Sequence, residues 1–268
     1  MLKDVTIGQF FPGKSIIHRL DPRVKLVLIL ALIIALFLAE GVVSYALMIG
    51  FLLVIIKVSG IPFRMVVKGL KPILFIICFT AVLNLFYTPG EYIWQYGFLH
   101  ISREGIFVAV KMVLRIMLLI IGTSMLTYTT SPIQLTDGLE RLLSPLKRFH
   151  APVHELSMMM SIALRFIPTL IEETEKIMSA QKARGADFET GGIIQRAKAL
   201  IPILVPLFIS AFRRADELAV AMECRLYRGD VGRTRMKQLK VTPLDCAAIA
   251  VSFSIFLTVA VLGQAFGL

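Results

Sequence analysis

Charged residues are scarce in this 268-residue chain, and this scarcity limits the class of protein. Only 18% of the residues are charged while 57% are apolar, whereas soluble domains carry about 25% charged residues. A soluble core does not need this much hydrocarbon, and several apolar runs approach the length of a membrane span. The composition therefore indicates an integral membrane protein.

Cysteine and histidine are also few. The three cysteines, Cys78, Cys224 and Cys246, are scattered and odd in number, which gives neither a disulfide framework nor a metal-binding spacing. The four histidines lie on different segments, which argues against a zinc site, and no Ser-His-Asp or Cys-His order is apparent. We therefore predict that the chain is not an enzyme and holds no cofactor or metal.

Five apolar runs predict five transmembrane helices, at residues 24–39, 42–56, 72–87, 105–129 and 244–268. Five basic residues precede or begin the first run and four lie in the loop 57–71, whereas loops 40–41 and 88–103 hold none and one. Because Lys and Arg concentrate in cytoplasmic loops, the N-terminus is predicted to be cytoplasmic and the C-terminus external.

The charges concentrate between the last two predicted spans. Residues 131–242 hold 17 of the 29 Lys and Arg and 12 of the 18 Asp and Glu. We therefore divide the chain into an N-terminal cytoplasmic arm (1–23), four spans (24–130), a cytoplasmic or interfacial domain (131–242) and a last span (243–268). Within that domain, long amphipathic helices at the inner surface are preferred over two further spans. Two further spans would export five basic residues at 172–198.

One motif resembles a phosphate-binding loop, but its context argues against that function. Residues 8–15 match G-x-x-x-x-G-K-S, a pattern that uses backbone N–H groups between a strand and a helix to hold phosphate. Here Pro12 lacks an N–H, and Asp21-Pro22 interrupts any helix that starts at Ser15.

Lys111 and Arg115 lie one turn apart in the fourth predicted span. Charges inside a span are costly and often functional. Alternatively, both side chains extend to the interface or pair inside the bundle. Either of these structural explanations is favoured over a functional role, because no Asp or Glu accompanies the two residues for a proton or ion relay. A stand-alone secondary carrier or channel is accordingly the alternative function rather than the preferred one.

Two helix ends in the domain 131–242 carry arginine. In Ala183-Arg184-Gly185 the glycine can adopt the left-handed conformation that ends a helix, and Arg184 then lies at the negative end of the helix dipole. A shift of 41 residues places Arg184 on Arg225 and Ala183 on Cys224. Such an arginine suits a groove that contains a carboxylate. Ordinary capping by a solvated arginine is the alternative.

These segments resemble a known family, the transmembrane (T) component, EcfT, of energy-coupling factor transporters. The resemblance covers essentially the whole chain and is most specific at residues 12–25, PGKSIIHRLDPRVK, and at residues 180–187, AQKARGAD. The third marker, MECRLYRG at 222–229, departs from the family because Cys224-Arg225-Leu226 replaces Ala-Arg-Gly. The glycine that would end this helix is lost there, and Gly229 is expected to serve instead.

The resemblance implies an all-α polytopic membrane protein whose cytoplasmic domain contains two long crossing coupling helices. Their ends, 183–185 and 224–226, would dock into two ATP-binding cassette ATPases, which would bind ATP and magnesium themselves. A separate membrane-embedded substrate-binding (S) component would take up a vitamin or other micronutrient across the bacterial plasma membrane. Candidate contacts with the S component are Met158, Met159, Pro168, Pro202 and Pro206. No nucleic acid partner is expected. A membrane-bound enzyme is the third hypothesis, but it would need a catalytic cluster, and none is apparent in the sequence.

Overall fold

The computed structural model describes residues 10–96, 99–149, 152–188, 192–229 and 239–266. Most of these residues are helical. The helices are α1 (Ile16–Arg19), α2 (Pro22–Leu38), α3 (Val42–Ser59), α4 (Phe63–Leu70), α5 (Leu74–Tyr87), α6 (Arg103–Thr129), α7 (Pro132–Leu143), α8 (Val153–Ala183), α9 (Ile193–Cys224) and α10 (Pro243–Phe266). Short 3₁₀ turns lie at Lys71–Ile73 and Ser144–Phe149.

Five helical segments are long and apolar enough to cross a membrane, which confirms the predicted all-α polytopic class. They are Val42–Ser59, Phe63–Tyr87, Arg103–Thr129, Ile194–Cys224 and Pro243–Gly263. The set differs from the predicted one at two positions. The first predicted span forms α2, whose 17 residues fall just short of the others, and α9 qualifies although its second half contains Arg213, Arg214, Asp216 and Glu217.

Two segments that the sequence places in loops are regular. The loop after Pro62 forms α4, because its apolar residues recur at helical spacing and Val66 is buried. The segment after α5 forms a two-stranded antiparallel hairpin, β1 (Tyr92–Tyr96) and β2 (Leu99–Ser102), with an irregularity between Tyr92 and Trp94. The two strands are short enough to leave the fold class unchanged.

The chain divides into two compact units, and each is described by itself. One comprises residues 8–141 and 239–268, and we call it the bundle. The other comprises residues 142–238 with 1–7. Its described part is dominated by α8 and α9, which we call the helical hairpin.

The bundle has a well-packed apolar core. Leu36, Met48 and Val259, from α2, α3 and α10, are fully buried. A Cβ atom added at Gly122 would lie 2.6 Å from Leu32 Cδ2. The absence of a side chain at this position therefore lets α6 approach α2 closely, as small residues do between membrane helices.

Basic side chains cap α2 and α6 reciprocally. Lys25, near the start of α2, donates from Nζ to the Thr129 carbonyl at 2.9 Å and to Thr130 Oγ1 at 3.1 Å, at the end of α6. Arg115 of α6 donates to the Ala39 carbonyl, at the end of α2, at 3.4 Å. Each helix thus supplies a cation to the negative end of the other helix dipole. Arg115 pairs inside the bundle, which agrees with the favoured sequence interpretation.

The segment that resembles the family's N-terminal motif builds one end of this bundle. Asp21 caps α2 and binds Arg23 at 2.7 Å, while its backbone N–H donates to Asp245 Oδ1 at 2.8 Å. Burial raises the pKa of Asp21, but the hydrogen bonds and the charge of Arg23 outweigh it and leave that pKa below its ordinary value. Asp245 also accepts from Thr242, so this buried carboxylate is fully engaged.

The residues that resemble a phosphate-binding loop have a local structural explanation. Ser15 caps α1, and its Oγ lies 2.7 Å from His18 Nδ1, while His18 Nε2 lies 3.0 Å from the Phe11 carbonyl. A Cβ at Gly13 would lie 2.6 Å from the His18 ring. Glycine is thus needed for the close approach of His18, although residues 8 and 9 of the motif lie outside the described residues.

Candidate functional site: two arginine helix ends

The helical hairpin consists of two antiparallel helices that are joined by side-chain contacts near both ends and between them. Near one end, Gln181 donates to the Pro202 carbonyl at 3.4 Å. In the middle, Arg214 donates to Glu173 at 2.9 Å. At the other end, the Tyr227 hydroxyl lies 3.3 Å from His154 Nε2. Residue numbers rise on one helix as they fall on the other, which establishes the antiparallel arrangement.

The two predicted arginine ends have the same backbone geometry. After α8, the Ala186 N–H donates to the Gln181 carbonyl at 3.0 Å, and Gly185 N–H to the Lys182 carbonyl at 3.0 Å. This pair of bonds is the Schellman motif that ends a helix. Gly185 has φ +86°, which confirms the predicted left-handed conformation and leaves Arg184 as the C-cap residue.

After α9 the same bonds recur 41 residues further on. The Tyr227 N–H donates to the Met222 carbonyl at 3.1 Å, and Leu226 N–H to the Glu223 carbonyl at 2.9 Å. Arg225 is the C-cap residue, and Leu226 adopts φ +53°. The expectation that Gly229 ends this helix is therefore wrong, because Leu226 takes the left-handed position three residues earlier.

The hairpin places the two arginines far apart rather than together. Because the helices are antiparallel, the end of α9 lies beside the start of α8. The 31 residues of α8 rise about 1.5 Å each, so the two ends are separated by about 46 Å. Arg184 and Arg225 are both exposed, as are Ala183, Cys224 and Leu226. Such a pair of projecting cations can engage two separate acidic grooves.

The Arg184 end is connected to a break in the opposite helix. Pro206 has no N–H, so the Pro202 carbonyl four residues earlier lacks its helical donor. Gln181 supplies a donor to that carbonyl from α8, and its own carbonyl accepts the Schellman bond from Ala186. The turn that presents Arg184 and the proline break in α9 thus share one residue.

The Arg225 end is held by its own contacts. Tyr227, two residues beyond the arginine, contacts His154 and donates to Met158 Sδ at 3.0 Å. His154 is buried. The start of α8 therefore fixes the chain directly after Arg225.

The ion pair in the middle of the hairpin joins residues that are also 41 positions apart. Hydrogen bonding from Ser210 is the largest influence on the pKa of Glu173, and with the Arg214 charge it outweighs burial and lowers that pKa. Both side chains remain partly exposed, at 22% for Glu173 and 36% for Arg214. The pair therefore aligns the two helices more than it stabilises them.

The five predicted contacts with an S component are not brought together. Met158 and Met159 lie near the Arg225 end, whereas Pro202 and Pro206 lie near the Arg184 end and Pro168 lies midway along α8. Met159 and the three prolines are exposed, but Met158 is half-buried and receives the Tyr227 hydroxyl.

The predicted contacts with an S component omit a continuous apolar face on α9, although an apolar stretch was predicted there. Between 46% and 68% of each side chain on this face is exposed: Ile201, Leu204, Val205, Phe208, Ile209 and Phe212. The opposite face, which includes the buried Ile203, turns toward α8. The spacing of three and four residues between the exposed positions is the signal that could have identified the face.

Among the described residues, no group of three or more His, Cys, Asp or Glu side chains is placed so that it could hold a metal ion. The three cysteines are exposed and free.

Comparison with known proteins identifies relatives along almost the whole chain. The model of the CbiQ family, described as a cobalt transport protein, matches residues 13–237. The "energy-coupling factor transporter transmembrane protein EcfT" of Ruminiclostridium cellulolyticum is 55% identical over 258 residues, which is 96% of each chain. Its counterpart in Clostridium kluyveri is 56% identical over 262 residues, 95% of this chain and 97% of the relative. That of Bacillus subtilis is 49% identical over 250 residues, 93% and 94% respectively.

Proposed function

The chain belongs to the EcfT family of energy-coupling factor transporter transmembrane proteins, and we propose that it transmits ATP-driven motion from two cytoplasmic ATPases to a membrane-embedded substrate-binding S component. The multi-pass character of the chain and its full-length similarity to EcfT proteins support this role. The proposed cargo is a vitamin or other micronutrient. The membrane is the bacterial plasma membrane, with the N-terminus and residues 131–242 in the cytoplasm.

The paired Schellman ends carry the proposal. Each presents an arginine at a rigid helix terminus, and the two lie about 46 Å apart on one hairpin. A guanidinium fixed in this way can form two hydrogen bonds with a carboxylate in a partner's groove. Arg184 with Ala183 and Gly185 would engage one ATPase, and Arg225 with Cys224 and Leu226 the other. ATP and magnesium would be bound by the ATPases, and this chain would hydrolyse nothing.

The S component would lie against the apolar faces of the hairpin. The exposed face of α9 around Phe208 and Phe212, together with Met159, offers apolar side chains without charge. Pro168, Pro202 and Pro206 interrupt the helical hydrogen bonds and permit bending when the ends move. The Gln181 bond to the Pro202 carbonyl would pass displacement of the Arg184 end to this surface.

Charge reversal at the two ends tests the docking role. Arg184→Glu with Arg225→Glu should abolish co-purification with the ATPases while the protein still reaches the membrane. Each single reversal should leave one ATPase bound, because the ends are separate. Arg213→Glu, an exposed reversal on α9 away from both ends, is the matched control. Unchanged association of the double variant would reject the docking role, and substrate flux in liposomes that contain this chain alone would support a stand-alone carrier instead.

A further inference from the structure

The bundle contains an apolar groove that the proposed function does not use. It has a volume of about 270 Å³ and is bordered by α1, α2, α3, α6 and α10. Its lining is hydrocarbon except for Lys25, Thr129 and Ser252. Val54, Val58 and Val251 line it and are 61%, 43% and 59% exposed, so the groove opens on the lateral surface of the bundle.

The apolar lining and the lateral opening of the groove favour a hydrocarbon chain as its occupant. A flexible chain of methylene groups is narrow enough to enter. In a protein that crosses the bilayer, the acyl chains of phospholipids are present at this surface at high concentration.

Three exposed basic residues lie next to groove-lining residues along the chain. Ile16, Ile17 and Leu20 of the α1 segment line it, and Lys14 and Arg19 of the same segment are exposed. Within the described residues, neither of these two side chains has a hydrogen-bond or ion-pair partner. Lys57, which precedes the lining residue Val58, is also exposed.

Two described acidic groups near the α1 end of the groove are already paired. Asp21 is paired with Arg23, and Asp245 accepts hydrogen bonds from the Asp21 backbone and from Thr242. The Lys25 amine is likewise occupied by Thr129 and Thr130. Among the described basic residues next to the lining, Lys14, Arg19 and Lys57 are therefore available to a ligand. Clusters of basic residues beside membrane helices attract anionic headgroups.

We infer that this groove binds an anionic phospholipid, with one acyl chain between α3 and α10 and its headgroup phosphate beside Lys14 and Arg19. The lipid would fasten α1 to the side of α3, whose residues face it across the groove. This inference is independent of the ATPase-docking role, because no residue of the helical hairpin takes part in it.

Native mass spectrometry of the full chain, delipidated in detergent, tests the inference. Dioleoyl-phosphatidylglycerol and dioleoyl-phosphatidylcholine, added in equal amounts, have identical acyl chains and differ in headgroup charge. We expect one phosphatidylglycerol molecule to remain bound, with about a tenfold preference, since each basic residue near an anionic surface contributes several-fold in affinity.

Paired variants distinguish the binding of the lipid's acyl chain from the binding of its headgroup. Val58→Trp should fill the groove and lower occupancy by both lipids about fivefold or more. Val43→Trp, also an exposed valine of α3 but outside the groove, should not. Val251→Trp repeats the test from the α10 wall, should Val58→Trp lower the thermal unfolding temperature. Lys14→Gln with Arg19→Gln should remove the preference for phosphatidylglycerol, whereas Arg64→Gln with Lys68→Gln should preserve it.

Equal retention of the two lipids by the wild-type chain would overturn the inference. So would equal losses of lipid in Val58→Trp and Val43→Trp, since that result describes non-specific lipid around the bundle.

Discussion

The two ends of the helical hairpin have one geometry built from two different residues. Gly185 and Leu226 occupy the same position of the same Schellman motif, with φ +86° and +53°. Glycine adopts this conformation freely, whereas a residue with a Cβ atom adopts it at a cost of about 1–2 kcal/mol. The Arg184 end therefore follows from local sequence. The Arg225 end requires support from elsewhere, which Tyr227 supplies through His154 and Met158.

Gly185→Leu should have the largest effect, because it removes this difference by making the first end as strained as the second. No atom lies within 4 Å of a Cβ built at Gly185, so the cost is conformational, about 1–2 kcal/mol. Hydrogen exchange of residues 178–188 should accelerate accordingly. The matched control is Gly192→Leu, at φ −72° and with equally open surroundings. Equal acceleration in both variants would contradict the explanation.

Tyr227→Phe should free the second end while leaving the first unchanged. It removes the hydroxyl that contacts His154 and Met158, at a cost of about 1 kcal/mol. Exchange of the backbone amides of residues 222–228 should rise several-fold, whereas residues 180–187 should keep their wild-type rates. If the two segments respond alike, the support assigned to Tyr227 is absent.

Leu226→Gly should sharpen the comparison by making the second end resemble the first. The left-handed strain is relieved, but the glycine also gains freedom in the unfolded chain, so the net stabilisation should be about 0.5 kcal/mol. Little packing is lost, because 75% of Leu226 is exposed. Leu226→Ala, which keeps the Cβ atom, should not stabilise. Slower exchange at residues 222–228 in the alanine variant would refute the conformational cause.

Glu173→Gln should have the smallest effect, because it acts midway between the ends on an ion pair that solvent partly screens. We expect a loss of about 0.5 kcal/mol or less, diminishing as salt is raised. Glu172→Gln, an exposed neighbour, should change the unfolding temperature even less. A loss that does not depend on ionic strength would indicate that the pair does more than align the helices.

The features that could be predicted from sequence are those that one residue determines locally. The left-handed Gly185 and the α2 boundary at Asp21-Pro22 follow from backbone chemistry. Leu226 could not be predicted to end α9, because a leucine takes that conformation only with tertiary support. The same limit applies to Lys25 and Arg115, whose acceptors, Thr129, Thr130 and Ala39, lie some 76 to 105 positions away.

The remaining differences between the predicted and the observed helices arise where one sequence pattern fits two kinds of structure. α9 is long and apolar enough to qualify as a span, yet its spacing also fits an amphipathic surface helix, and hydropathy alone treats the two alike. The charges after Pro62 suggested a loop, although Val66 and the surrounding apolar residues form α4. The sites of contact with the ATPases and the S component stay predictions.

The reciprocal contacts of Lys25 and Arg115 allow α2 and α6 only one lengthwise position relative to each other. Sliding one past the other by a turn, about 5.4 Å, would pull Lys25 and Arg115 away from their carbonyl acceptors at the same moment. Lys25, which is buried, would then lose both of its acceptors. The two contacts therefore oppose lengthwise sliding of α2 along α6 at two separate points.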